Sequence, residues 1–131
     1  MTTQPARILI VEDNPTNMKL ARDILEAKGY EVIPTETAEA GLEAAAKDAP
    51  DLVLMDIQLP GMNGIDALLE LRGSDTTAST PVIAFTASVT ESDRCRVSQA
   101  GFDAFISKPI ELKNFLRTIE TVLDSNQVAS A

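Results

Sequence analysis

The sequence predicts an α/β protein in which a doubly wound parallel sheet of five strands lies between two layers of helices. Two observations predict this three-layer sandwich. Short apolar runs rich in branched residues alternate with longer segments in which apolar residues recur at helical spacing. The alternation occurs five times along the chain, and strands that alternate with helices form a parallel sheet covered on both faces.

Each predicted element has its own local signal. The first strand, 7–11, is an apolar run of the kind buried on both faces. The first helix begins after Asn14, an N-cap that precedes Pro15 at the first helical position, and it stops at Gly29. The other predicted strands are 31–35, 51–56, 81–86 and 103–107, and the middle helices are 38–47, 65–72 and 91–99.

The last predicted helix carries an apolar stripe that predicts packing against the sheet. The stripe consists of Leu112, Phe115, Leu116, Ile119, Val122 and Leu123. Residues 125–131 are predicted to form a flexible tail, and residues 1–6 an N-terminal extension. The remaining residues, 7–124, are predicted to form one domain, because 131 residues are a common size for a single domain.

Composition excludes several classes of protein. The net charge of −9 argues against a general binder of nucleic-acid backbones. The chain has no His, which excludes His-dependent nucleophilic catalysis and histidine metal sites. The single Cys95 cannot form an internal disulfide and suits a reducing compartment. The start lacks the pattern of a secretion signal, and no apolar run approaches the roughly 20 residues that span a bilayer, so a cytoplasmic location without a membrane partner is predicted.

Polar residues follow the ends of several predicted strands. Glu12 and Asp13 follow the first strand, Asp56 ends the third, Thr86 ends the fourth and Lys108 follows the fifth. If the strand order is 2-1-3-4-5, these side chains converge at the carboxyl edge of the sheet, where ligands of such sheets bind. Clustered carboxylates repel one another, and oxygen ligands at a solvated edge favour Mg²⁺.

The same edge suggests phosphate chemistry. A carboxylate can act as a nucleophile toward phosphorus, and Asp56 is the preferred candidate because it ends the central strand. Lys108 and a bound metal would offset the charge on the phosphoryl oxygens, and Thr86 could donate a hydrogen bond to one of them.

From Arg7 to about Leu123 the chain resembles the receiver domains of response regulators. The matching pieces are Ile-Val-Glu-Asp-Asn at 10–14, Leu-Met-Asp-Ile-Gln-Leu-Pro-Gly-Met-Asn-Gly at 54–64, Phe-Thr-Ala at 85–87 and Ser-Lys-Pro at 107–109. The resemblance implies a CheY-like, flavodoxin-like fold with the strand order 2-1-3-4-5. Within the family, the motifs are similar to those of stand-alone cell-cycle regulators and of receivers in hybrid kinases, and the short tail favours the stand-alone type.

The resemblance also implies roles for individual residues. Asp56 is the implied phosphoacceptor, Thr86 the switch hydroxyl and Lys108 the phosphate counterion. The implied metal ligands are Glu12 (through water), Asp13, Asp56 and the backbone carbonyl of Gln58. Phe105 occupies the position of a rotating aromatic switch residue, where Tyr is frequent. Pro109 is implied to follow a cis peptide bond, and Gln58 and Ser88 to tune dephosphorylation.

These inferences predict a phosphorylation switch that is not an enzyme in its own right. A histidine kinase or phosphotransfer protein would donate to Asp56 with Mg²⁺, or alternatively Mn²⁺, and the output would be protein contacts of the fourth helix, fifth strand and fifth helix. The protein would be a monomer or a phosphorylation-dependent dimer. The alternatives are a receiver separated from a hybrid kinase and an adaptor that works without phosphorylation. An aspartate-nucleophile phosphatase is disfavoured because Gln58 stands where such enzymes have an acid, and a flavin carrier because no phosphate loop follows the first strand.

Overall fold

The computed structural model describes residues 6–57, 64–75, 77–78, 80–86, 101–107 and 111–130. The strands are β1 (Arg7–Val11), β2 (Glu31–Thr35), β3 (Leu52–Asp56), β4 (Val82–Thr86) and β5 (Ala104–Ser107). The helices are α1 (Pro15–Ala27), α2 (Ala38–Asp48), α3 (Gly64–Arg72) and a C-terminal helix (Leu112–Ser130). The predicted fourth helix, 91–99, lies outside the described residues. In the part that is described, no helix is long and apolar enough to cross a membrane.

The five strands form one parallel sheet in the order β2-β1-β3-β4-β5, which confirms the predicted fold class and strand order. Successive side chains of β1 point to opposite faces, as the period of a strand requires. Ile8 and Ile10 belong to the core on one face, whereas Leu9 and Val11 belong to the core on the other. Because both faces are covered, β1 reads as a continuous apolar run instead of an alternating one.

Two layers of helices cover the sheet. On one face, α1 contributes Ala21 and Leu25, and the C-terminal helix contributes Phe115 and Ile119. The rings of Phe85 and Phe115 lie 6.3 Å apart at 45°, which joins β4 to the C-terminal helix. On the other face, α2 and α3 supply the buried residues Ala38, Ala45, Ala67, Leu68 and Leu71. The predicted sandwich is therefore observed in its described parts.

The start of α1 follows from local chemistry. The side-chain oxygen of Asn14 accepts hydrogen bonds from the backbone N–H groups of Thr16 (2.9 Å) and Asn17 (3.1 Å), and Pro15 is the first helical residue. These bonds satisfy donors that a helix start leaves without an intrahelical partner. The predicted cap at Asn14 is confirmed.

The C-terminal helix extends further than the sequence pattern indicates. Its backbone is helical to Ser130, and the flexibility expected of residues 125–131 stays a prediction. The apolar stripe ends at Leu123, but residues 124–130 include neither proline nor glycine to terminate the helix.

Candidate metal centre

Two neighbouring strands bring three carboxylates together. Glu12 and Asp13 follow β1, Asp56 ends β3, and β1 pairs with β3 in parallel. One carboxylate oxygen from each of the three residues lies within 4.8 Å of the others. The convergence expected at the carboxyl edge of the sheet is thus present for these residues.

Burial differs sharply among the three side chains. Glu12 is 1% exposed and Asp56 is 3% exposed, whereas Asp13 is exposed to solvent. Because one side of the cluster faces water, a bound cation could keep water ligands there. This agrees with the expectation that Mg²⁺ retains several waters in protein sites.

Backbone contacts hold Glu12 in place. Its N–H donates to the carbonyl of Thr35 at the end of β2 over 3.0 Å. Its Oε2 accepts a bond of 3.4 Å from the N–H of Asn14, the residue that also caps α1. The strand end, the buried acid and the helix start therefore form one connected turn.

The electrostatics of the cluster favour a divalent cation. At an effective dielectric near 20, two unit charges ~4 Å apart repel by about 4 kcal/mol. Three carboxylates lie within 4.8 Å of one another and two of them are buried, so a divalent cation bound between them would offset this repulsion. The donor set consists of hard oxygen ligands of the kind that Mg²⁺ binds, so the residues present fit this ion.

The other predicted site residues are described only in part or lie outside the described residues. Thr86 ends β4 opposite Ser107 of β5, and Phe105 lies opposite Ala84. For Thr86 and Phe105 the structure describes the backbone, so their switch roles stay predictions. Four predicted site residues lie outside the described residues: Gln58, Ser88, Lys108 and Pro109. The roles that the resemblance implies for them therefore stay predictions.

Two residues that support the site have no recognisable sequence motif. Thr35 accepts from the N–H of Glu12 and donates its own hydroxyl to the carbonyl of Ile10 over 2.9 Å. Gly41 of α2 lies so close to β1 that an added Cβ would come within 2.5 Å of Val11 Cγ2. The helical pattern of 38–47 places Gly41 in a helix, but only the packing shows that a side chain would not fit there.

Similarity to known proteins agrees with this geometry. Residues 8–120 match the family model of the response regulator receiver domain. The polar-differentiation response regulator DivK of Brucella anthropi is 45% identical over 119 residues, which cover 91% of this chain and 97% of that protein.

Solved structures show the same fold. A CheY-like receiver domain protein from Methanospirillum hungatei JF-1 superposes with a TM-score of 0.87 at 31% identity, covering 95% of this chain and 98% of that one. The receiver domain of a sensor histidine kinase from Pseudomonas aeruginosa PAO1 has a TM-score of 0.85 at 30% identity, covering 92% and 98% of the two chains. That second structure has a magnesium ion coordinated in its active-site cleft. With an acidic cluster at the carboxyl edge of a β2-β1-β3-β4-β5 sheet and a family match over most of its length, the chain belongs to the response regulator receiver domains.

Proposed function

We propose that this receiver domain is a phosphorylation switch in which Asp56 accepts a phosphoryl group in the cytoplasm. The observation that carries the proposal is the position of Asp56, which ends the central strand and lies beside Glu12 and Asp13. A single acid at the exposed end of a strand would be an ordinary surface residue. An acid that is 3% exposed within a three-carboxylate cluster instead has the surroundings of a phosphoacceptor with its metal ligands.

The residues of the cluster would have different roles in the phosphoryl transfer. Asp13, Asp56 and the Gln58 carbonyl would hold Mg²⁺ (or Mn²⁺) directly, and Glu12 through water. When bound, the ion offsets negative charge on the carboxylates and on the phosphoryl oxygens. An ionised oxygen of Asp56 attacks phosphorus, the bond from phosphorus to the donor's imidazole nitrogen breaks, and that nitrogen keeps the electron pair.

The phosphoryl donor would be a histidine outside the given sequence. These 131 residues contain no His, so a histidine kinase or a histidine phosphotransfer protein would supply the group. Lys108 would then pair with the new phosphoryl charge and Thr86 would donate a hydrogen bond to it. The chain acts as a switch that assists its own modification, rather than as a turnover enzyme.

The output surface is proposed to be the face formed by 91–99, β5 and the C-terminal helix. The β5 strand is at the end of the sheet, and the C-terminal helix packs next to it through Phe115 and Ile119. Phe105 in β5 would move as Thr86 is drawn toward the phosphate. Charge at one end of the sheet would thereby shift the population of two packings of this face.

The test is incubation with a small-molecule phosphodonor and Mg²⁺, followed by mass spectrometry of the intact protein. We expect one added phosphoryl group in the wild type and none in Asp56→Asn. The exposed residue Asp75 provides a matched control, and Asp75→Asn should be modified like the wild type. Modification that survives in Asp56→Asn would overturn the assignment, and partner binding that is equal in the wild type and Asp56→Ala would favour an adaptor.

A further inference from the structure

Asp103 holds the start of β5 against β4. Its backbone N–H donates to the carbonyl of Val82 over 2.8 Å, and its Oδ2 accepts from the N–H of Val82 over 2.8 Å. The residue thus contacts both backbone groups of Val82, directly before the first residue of β5. These two bonds select the register in which Ala104 lies opposite Ile83 and Ser107 lies opposite Thr86.

Arg72 orients the carboxylate that makes this contact. It is the last residue of α3, and its Nη2 donates to the same Oδ2 of Asp103 over 3.0 Å. Its Nη1 donates to the backbone carbonyls of Ala78 (3.2 Å) and Thr80 (2.5 Å). One guanidinium therefore joins the end of α3, the connector before β4 and the start of β5, which uses the planar donor geometry of Arg.

The attraction between the two charges is not the main contribution of this contact. Arg72 is 28% exposed and Asp103 is 43% exposed, so solvent screens the ion pair. Its effect is geometric, because β5 has only four residues and stands at the edge of the sheet next to β4. A short edge strand has few ladder bonds of its own to prevent a slip in register.

A slip of β5 would displace the residues at the carboxyl ends of the strands, where the carboxylate cluster lies. One residue of displacement moves a strand by about 3.3 Å and exchanges the faces to which its side chains point. Lys108, the proposed phosphate counterion, follows Ser107 directly in the sequence, so the register of β5 determines where the chain leaves the sheet at its carboxyl edge.

We propose that Arg72 and Asp103 are positioning residues for phosphoryl transfer at Asp56, acting from the far edge of the sheet by fixing the register of β5 against β4. This inference rests on the proposed function, because it assigns the two residues to the same reaction. Both residues lie by the first residues of β4 and β5, at the opposite end of the strands from the carboxylate cluster. Their effect on the reaction passes through β5, and the metal ligands, which lie at or directly after the ends of β1 and β3, should not depend on it.

The test compares Arg72→Met with the wild type in three measurements. The first is the rate of modification by a small-molecule phosphodonor, which should fall by at least about tenfold, since a misplacement of about 1 Å can cost roughly 100-fold. The second is the affinity for Mn²⁺, followed by electron paramagnetic resonance, which should not change. The third is hydrogen exchange of the β5 amides, which should become faster while exchange in β1 stays the same.

Several variants separate positioning from general loss of structure. Arg72→Lys keeps the charge but not the three-way donor geometry, and it should recover part of the rate. Arg72→Met combined with Asp103→Ala should be no slower than Asp103→Ala alone if both act on the same register. Lys19→Met, which removes an exposed cation paired with Asp23 on α1, is the matched control and should behave as the wild type.

The outcomes distinguish this inference from the proposed function. If the wild type is modified but Arg72→Met reacts at the same rate, only the positioning role is overturned. The same holds if hydrogen exchange of the β5 amides is unchanged in Arg72→Met. A parallel loss of rate and Mn²⁺ affinity would show general damage and would also overturn it. A wild type that gains no phosphoryl group overturns the proposed function, and the positioning role with it.

Discussion

Glu12 and Asp13 are neighbours in the chain but have opposite environments. Glu12 is buried and held by Thr35 and Asn14, whereas Asp13 faces solvent. The difference arises because the chain leaves β1 at this point and turns toward the capped start of α1. The burial of each acid therefore depends more on its position relative to the strand end than on its residue type.

Lys19 and Asp23 form an ion pair between two residues of the same helix, α1. Lys19 Nζ lies 2.7 Å from Asp23 Oδ2, four residues later on the same helix. The hydrogen bond and the charge of Lys19 lower the pKa of Asp23 below its usual value of 3.8. A lowered pKa stabilises the folded state above the unfolded pKa, and this contribution is lost as pH falls through the folded pKa.

We therefore expect Asp23→Asn to be slightly less stable than the wild type at neutral pH, with the difference disappearing as pH falls below about 3.8. Both side chains are largely exposed, so the effect is small. Urea unfolding at a series of pH values measures the difference. In the Lys19→Met background Asp23→Asn should have almost no effect, and a difference that stayed constant through the acidic range would contradict this account.

At the scale of elements, the close approach of α2 to β1 determines how firmly the acidic pair is supported. Gly41 faces Val11, the residue directly before Glu12, and also lies near the hydroxyl of Thr35. Val11 is fully buried and β-branched, so its side chain has little freedom to move aside. The helix can lie this close to the strand only because residue 41 has no Cβ.

Gly41→Ala should consequently destabilise the protein, although alanine is the better helix former. Helix propensity would favour alanine by about 1 kcal/mol, whereas crowding in a packed core costs typically about 1–3 kcal/mol, so we expect a net loss of about 1 kcal/mol. Chemical denaturation gives the free energy of unfolding. Gly41→Ala combined with Val11→Ala should relieve the clash, and an unchanged or increased stability of Gly41→Ala alone would show that α2 moves away at no cost.

The whole molecule brings together carboxylates that are more than forty positions apart in the chain. Parallel pairing of β1 with β3 places Glu12 and Asp13 beside Asp56, and burial keeps two of the three in place. The repulsion that results is a property of the complete fold, because it disappears when the chain unfolds. A cation that binds only the folded cluster must therefore stabilise the entire domain.

Excess Mg²⁺ should raise the free energy of unfolding of the wild type, by about 2.7 kcal/mol at a concentration 100-fold above the dissociation constant. In Asp13→Asn this stabilisation should largely disappear. In a chelator, the same variant should be more stable than the wild type by about 1 kcal/mol, because one repulsive charge at the solvated side is removed. Thermal or urea unfolding with and without Mg²⁺ measures both effects, and Asp75→Asn serves as a control. An Asp13→Asn protein that Mg²⁺ stabilises as much as the wild type would exclude Asp13 as a ligand.

Features that depend on residues close together in the chain are predictable from the sequence alone. Asn14 and Pro15 specify the start of α1, because a cap acts on backbone groups two and three residues away. The buried strands appear as apolar runs because both faces of the sheet are covered. Asp56 is identifiable because it ends such a run, and Glu12 and Asp13 because they directly follow another; the motifs shared with receiver domains indicate their roles.

Other features exist only because distant segments meet in the folded chain. The fit of Gly41 against Val11, the support of Glu12 by Thr35 and the contact of Arg72 with Asp103 join residues on different elements. The backbone of the C-terminal helix also continues to Ser130, beyond the apolar stripe, since the end of an apolar stripe marks the end of packing but not the end of a helix. Local sequence therefore determined which elements form and where the reactive acids stand, because caps and apolar runs act over a few residues. Tertiary structure decided how closely the elements approach and which side chains hold them in register, because those distances depend on packing across the whole sheet.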